Sequence, residues 1–339
     1  MFEISLFEDI NISSKESDKK LISKLGNKRV SSNKGNTIKD KIGLLQREVD
    51  NHLAFLYDVT EECRDNNRFI SFVNNFIKQD KGTIDTETLG VDYSKDKIFG
   101  FSMFAEGDKS IYVPVLHKGY VTGQLLDNQI DKSIITEQFE RIRDSNVKLI
   151  YHNGKFDIHM IYHNFGVLLP CYWDTMIASR LLHSAEQDHS LKYQYAVKVK
   201  GDLNKSYDFK SLFDGIPPEM VPVKIMTPYA AGDTFETMEL QQYQENEFKK
   251  YPGIYNIFRL EMRVLPMIIQ MEEDGVCIDK DELLRLEDKY STKLRLITNE
   301  CYNELEKYKD KITRYRIQHP GKLDNPINLS SPAQLSIVI

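Results

Sequence analysis

Between Lys81 and Gly90 the chain places two carboxylates, Asp85 and Glu87, one residue apart, behind an apolar lead-in and ahead of a glycine. In a β-strand, residues i and i+2 project from the same face. As a strand, this run therefore aims both carboxylates at one point. Like charges side by side on a sheet repel and contribute nothing to its stability. A metal cation is the usual reason to put them there. Taken alone, the same residues also read as an acidic surface turn. Which reading holds depends on whether other parts of the chain supply further oxygen ligands.

Composition narrows the setting. Of the 339 residues, 41% are hydrophobic and 28% charged, the balance of a globular protein long enough for two domains. No apolar run approaches the ~20 residues that span a bilayer. The N-terminus lacks the basic region and apolar core of a signal peptide, so a cytoplasmic protein with no membrane partner is expected. Cys63, Cys171, Cys277 and Cys301 are scattered without metal-like or redox-like spacing, which fits free thiols in a reducing compartment. The net charge of −6 does not exclude nucleic acid, because a carboxylate-rich site is acidic until metal fills it.

From Lys15 to Glu48 there are ten Lys or Arg against four Asp or Glu, a local net of +6. Large apolar residues are sparse through most of this stretch, and such a segment cannot offset its ordering entropy. Residues 1–41 are therefore expected to be a flexible segment. Residues 42–80 have helical spacing, with Phe69, Phe72, Val73, Phe76 and Ile77 on one face. Strands are expected from Gly82, over Ile98–Ala105 and over Ser110–Val115, the last two as an antiparallel hairpin. A helix over Ser133–Arg143 and a buried strand over Val147–Tyr151 follow, then helices over Phe156–Phe165, Asp174–Leu182 and Leu191–Val199. Pro217, Pro218, Pro222 and Pro228 mark 215–228 as a loop, and Tyr229 to about Lys250 is one long helix. Strands first, then alternating strand and helix, predict an α/β fold with a mixed sheet. Beyond Pro252 two further helices are expected, Ile254–Glu273 and 280–309. The second carries a stripe of Leu283, Leu286, Tyr290, Leu294, Ile297, Cys301 and Leu305 that needs a partner.

Three more clusters complete the opening pair. Asn153 and Asp157, with Phe156 between them, sit where a strand passes into a helix. Tyr229 and Asp233 are four apart on a helix and share a face. Asp174 begins a helix after Trp173 and is placed as an N-cap. Read singly, Asp157 is a surface acid, Tyr229 a core residue and Asp174 a cap; their order and spacing make the case.

Asp85-Thr86-Glu87, Asn153-x-x-Phe156-Asp157 and Tyr229-x-x-x-Asp233 resemble the three motifs of the four-acid 3′–5′ exonuclease superfamily, in its Tyr-bearing branch with a ribonuclease H-like fold. Ile98-x-Gly100-Phe101-Ser102, Tyr112-x-Pro114, Asp174-Thr175-Met176-x-Ala178 and Ser190-Leu191-Lys192 are similar to the proofreading domain of bacterial and phage family A DNA polymerases. Glu261 through Asp279 and Asn328 through Leu335 resemble that family's junction into the thumb, so the likeness covers roughly 65–339. It implies an exonuclease domain over 42–250, with its core at 65–250, and a partial, all-helical thumb-like extension over 251–339. It also implies two divalent ions, Mg²⁺ or Mn²⁺, with Asp85, Glu87, Asp157 and Asp233 as ligands. Tyr229 would orient the attacking water, and Thr86, Asn153 and Phe156 would contact a frayed single-stranded DNA 3′ end. Glu3-Ile4-Ser5-Leu6-Phe7 resembles the short peptide by which bacterial replication enzymes dock into a sliding clamp, with Leu6 and Phe7 as anchors; the same residues also read as a short element packed on the body.

The resemblance has a gap: the family's three polymerase-site motifs do not follow. The chain is expected not to polymerise DNA by itself, and to be the exonuclease half of a split or truncated polymerase whose partner chain carries those motifs, in a bacterial cytoplasm or a phage-infected cell. Two other functions compete, an RNA 3′-end exonuclease of the same superfamily and a non-catalytic subunit that holds DNA for a polymerase. His152 lies beside the motif residues with no role assigned.

Overall fold

Lys81–Thr88 is a β-strand, and one compact unit of the protein is layered around it. The computed structural model describes residues 37–203 and 215–338. The chain divides into two units, Met1–Met271 and Glu272–Ile339. The clamp-like peptide with Leu6 and Phe7, and most of the segment expected to be flexible, lie outside the described residues.

The first unit opens with α1 (Ile38–His52), started by a reciprocal cap in which Thr37 Oγ1 accepts from the Asp40 amide and Asp40 accepts from the Thr37 amide. Then come β1 (Thr60–Glu62), α2 (Asn66–Phe76), β2 (Lys81–Thr88), β3 (Ile98–Phe104) and β4 (Ser110–Pro114). Next are α3 (Lys132–Arg143), β5 (Lys148–Tyr151), α4 (Gly154–Phe165), β6 (Trp173–Asp174), α5 (Thr175–Leu182) and α6 (Leu191–Gln194). The long α7 (Val223–Lys250) and α8 (Pro252–Asp274) follow. The strands form one mixed sheet in the order β1-β4-β3-β2-β5-β6. β2 is antiparallel to β3 and parallel to β5, and β3 and β4 form the expected hairpin. This is the α/β fold with a mixed, helix-flanked sheet that the order of elements predicts.

Side-chain alternation on β2 sorts the two layers. Ile84 enters a core with Phe69, Phe72, Phe76, Phe101, Phe139, Ile158 and Ile161, so α2, α3 and α4 cover that face. Thr83, on the other face, donates its hydroxyl to the Thr234 carbonyl of α7 at 2.9 Å. Ser102, opposite Asp85 in the register, donates to the Ala230 carbonyl of the same helix at 2.9 Å. α7 thus lies across the face from which Asp85 and Glu87 project. The register with β3 shifts between Glu87 and Thr88, an irregularity of the kind that ends regular pairing beside functional sites. At Gly100, opposite Glu87, a Cβ would stand 2.0 Å from Tyr112 Oη; only glycine leaves room for that buried ring.

Two expectations need correction. Residues 42–80 are not helical throughout: Thr60–Glu62 is a strand, paired in parallel with Ser110–Tyr112, and its hydrogen-bond partners come from fifty residues away, where local periodicity carries no signal. The stretch 215–228 is not a loop throughout: α7 begins at Val223 and contains Pro228. Pro228 forgoes one backbone bond, but Val223, Ile225, Met226, Thr227 and Pro228 are all buried, and tertiary packing outweighs propensity.

In the second unit α9 (Lys280–Glu306), α10 (Lys309–Gln318) and α11 (Pro332–Val338) enclose a small core of Leu305, Ile312, Leu323, Ile327 and Val338. Of the α9 stripe, Leu305 is buried, while Leu283, Tyr290, Leu294 and Ile297 are exposed. Among the described residues, no helix is long and apolar enough to cross a membrane.

Candidate active site

The site is built where the two layers meet the carboxyl half of β2. Asp85 and Glu87 point to the α7 face, and α7 presents Asp233 there. One carboxylate oxygen from each of Asp85, Glu87 and Asp233 lies within 4.8 Å of the others. Tyr229 stands one turn before Asp233 on α7 and packs partly buried against the core beneath that helix.

Asp157 arrives from the opposite layer. It sits in the first turn of α4, is 3% exposed, and its Oδ1 accepts from the Thr86 amide at 3.0 Å and from the Thr86 hydroxyl at 2.6 Å. Thr86, expected at the substrate, gives both donors to Asp157. Asp157 is not part of the three-oxygen group, although its charge is the first among those felt by Asp85.

The start of α4 is anchored by Asp174. Its carboxylate accepts from the amides of Asn153 (3.3 Å) and Gly154 (2.8 Å) at the head of α4, and from those of Met176 (2.8 Å) and Ile177 (3.1 Å) at the head of α5. The expected cap is therefore also a clamp between two helix N-termini. Asn153 turns the chain into α4 in the left-handed region, φ 68°, a conformation Asn tolerates better than most residues. It is exposed there, with Phe156 half-buried behind it. His152 Nδ1 lies 2.8 Å from Thr175 Oγ1, and burial pushes the imidazole down to about 4, so it is neutral at physiological pH.

Two charged residues escaped the sequence reading as site members. Lys192, from α6, donates from Nζ to Asp233 Oδ1 and to Glu236 Oε2, the latter at 3.0 Å, and stands 5.6 Å from the centroid of the Tyr229 ring. Glu236 is 4% exposed. Its position three residues after Asp233, on the same helix face, was the available signal; Lys192 stood in the family-like stretch Ser190-Leu191-Lys192, which carried no role for it.

The electrostatics follow from this crowding. Burial, then the charges of Asp157, Asp233 and Glu87, hold the Asp85 carboxyl well above the usual carboxylate range, opposed by Lys192. Burial raises Asp157 to about 7 against the two Thr86 hydrogen bonds. Burial also raises Glu236, with Lys192 opposing. Burial alone would lower Lys192, but Asp233 and Glu236 more than reverse it and keep the ammonium charged. Asp85, Glu87, Asp157, Asp233 and Glu236 stand against one nearby lysine, Lys192, a surplus of negative charge that desolvation makes costly. A hard divalent cation fits this all-oxygen donor set.

Residues 63–249 match the 3′–5′ exonuclease family, and the chain belongs to that family, in the form carried by DNA polymerase I-like proteins. DNA polymerase I of Borreliella burgdorferi is 27% identical over 229 residues, which cover 66% of this chain and 24% of the relative. DNA polymerase DpoZ of Acinetobacter phage SH-Ab 15497 is 28% identical over 219 residues, covering 60% of this chain and 32% of the relative. The chain thus spans about a quarter to a third of the length of these relatives. In fold it resembles the polymerase domain of Pol1 from M. smegmatis, at a TM-score of 0.52 and 14% identity over 82% of this chain and 40% of that one.

Proposed function

We propose that this chain hydrolyses the terminal phosphodiester at the 3′ end of single-stranded or frayed DNA, releasing nucleoside monophosphates, as the editing module of a family A polymerase. The observation that carries this reading is the convergence of Asp85, Glu87 and Asp233, from segments far apart in sequence, onto oxygens within 4.8 Å of one another. These three carboxylates, with Asp157 beside them, are the residues that would hold two divalent ions, Mg²⁺ or Mn²⁺. When bound, such ions stabilise the charge that develops on the attacking and leaving oxygens of a phosphodiester.

The remaining work falls to the chain. Tyr229, one turn from Asp233, orients the attacking water. Thr86 positions Asp157 through its amide and hydroxyl. Asn153 and Phe156, at the head of α4, receive the terminal nucleotide, the ring of Phe156 offering a face on which any base can stack. A paired end must first unstack, so a mismatched end enters at lower cost. Hydrolysis breaks the bond from phosphorus to the 3′ oxygen, and the shortened strand leaves with a 3′ hydroxyl.

Replacing Asp85 and Glu87 together by Ala is expected to abolish degradation of 3′-labelled single-stranded DNA in Mg²⁺ while leaving DNA binding largely intact. Undiminished activity would remove the site assignment. A parallel RNA oligonucleotide tests the choice of substrate, since tolerance of the 2′-hydroxyl separates the two. In this reading the edited end is made by a polymerase on the same or another polypeptide, and the exposed Leu283, Tyr290, Leu294 and Ile297 suit association with apolar surface. Leu6 and Phe7 would tether the module to a sliding clamp, and their joint replacement by Ala should weaken pull-down by that clamp.

A further inference from the structure

Lys192 has no part in the hydrolysis as described, yet it is bonded to one of the residues that would hold metal. Its ammonium donates to Asp233 Oδ1 and to Glu236 Oε2, and Asp233 shares the close oxygen group with Asp85 and Glu87. Whatever cation binds that group must share Asp233 with Lys192 or displace it. Glu236 offers the place to go. It is buried, it already accepts from the same ammonium at 3.0 Å, and it lies outside the three-oxygen group.

Charge explains why both partners are needed. A lysine driven off Asp233 with no other carboxylate in reach would be a largely desolvated charge without a counter-ion, which is unfavourable. With Glu236 beside it, the ammonium loses one of two partners and keeps the other. The Tyr229 ring, 5.6 Å away, further favours a cation at that spot.

We infer that Lys192 is a built-in counter-ion of the metal-free site: it holds Asp233 until a divalent cation arrives, then rests on Glu236 alone, so that the Lys192–Glu236 pair sets the affinity of the site for metal. The inference rests on the reading of Asp233 as a metal ligand, and the experiment separates the two.

Mn²⁺ binding to the full chain, without DNA and at fixed pH, is followed by the electron paramagnetic resonance signal of free Mn²⁺. Lys192→Met is expected to tighten binding about tenfold, within the range over which neighbouring charges couple. Glu236→Gln is expected to weaken it by about the same factor, because the lysine then has nowhere else to rest. Lys192→Arg, which keeps the charge, should stay within about threefold of the parent. The double variant Lys192→Met/Glu236→Gln decides. It removes one positive and one negative charge and so keeps the net charge of the site, and it also serves if a single variant does not fold. If Glu236 acts through Lys192, the double variant binds as tightly as Lys192→Met. If the two act only as independent charges, their effects cancel and the double variant binds like the parent, which overturns the inference. Asp85→Ala/Glu87→Ala is the control: Mn²⁺ binding that survives it overturns the metal site itself, whereas lost binding there with an unchanged affinity in the double variant overturns only the role of Lys192.

Discussion

Removing divalent metal and raising the pH should expose the cost of the site through Asp157. Burial raises this carboxyl from 3.8 to about 7. An acid whose folded pKa lies above its unfolded one keeps a proton in the native state that the unfolded state has released, so stability falls as pH rises between the two values and is level above the higher. The full difference corresponds to about 4 kcal/mol, of which about 2 kcal/mol is lost between pH 5 and pH 7 and a few tenths more by pH 8. The melting temperature of the wild-type chain is not a clean readout, because burial pushes His117 and His152 down to about 4 and these contribute the opposite slope up to their unfolded value of ~6.5. The comparison with Asp157→Asn cancels the histidines. In EDTA the variant should gain on the wild type by about 3 kcal/mol between pH 5 and pH 8, or about 6–12 °C in melting temperature for a unit of this size. In Mg²⁺ the order should reverse, with the wild type stabilised more. A gap that stays constant across pH 5–8 in EDTA would refute the account of Asp157 as a buried acid whose charge is destabilising until a cation arrives.

Three further substitutions probe the supports of the site. Asp174→Ala strands the amides of Asn153, Gly154, Met176 and Ile177 and should cost about 3–5 kcal/mol in urea unfolding, at about 1–3 kcal/mol for each buried donor left unpaired, with hydrolysis falling further than stability alone explains because the head of α4 is released. Thr86→Val removes the 2.6 Å hydroxyl bond to Asp157, should cost about 1.5–3 kcal/mol, and should move the acidic limb of the pH–rate profile to higher pH, since that bond favours the ionised form. Gly100→Ala drives a Cβ to 2.0 Å from Tyr112 Oη, a group held by His117 Nε2 at 2.7 Å; denaturation should show a loss of about 1–3 kcal/mol, with Mn²⁺ affinity of the folded protein unchanged.

How much of this was open to a reader of the sequence depends on the range of the interaction. β2, the β3–β4 hairpin and α4 are recognisable because their periodicity is local and their ends carry Gly82, Gly107 and the His152-Asn153-Gly154 turn. β1 and β6 are three and two residues long, too short for any period, and exist because β4 and β5 offer them an edge. The start of α7 was hidden by Pro222 and Pro228, whose local preference yields to the burial of that turn against the sheet.

The same division runs through the site. Asp85 and Glu87 follow from alternation on one strand, and Tyr229 and Asp233 from one turn of one helix. That Asp157 comes from the other layer and is held by Thr86, and that Asp174 ties two helix starts together, depend on the sheet placing α4 and α7 on opposite faces. Lys192 and Glu236, forty-four residues apart, become a pair because α6 packs beside α7. The acids that motifs reveal are the ones proposed here to hold a cation. What motifs do not show is which of their neighbours hold those acids in place. Thr86, Asp174 and Lys192 each give hydrogen bonds to, or take them from, a group that burial would otherwise make too costly to hold. They are where the stability of the metal-free protein and its affinity for metal can be changed separately.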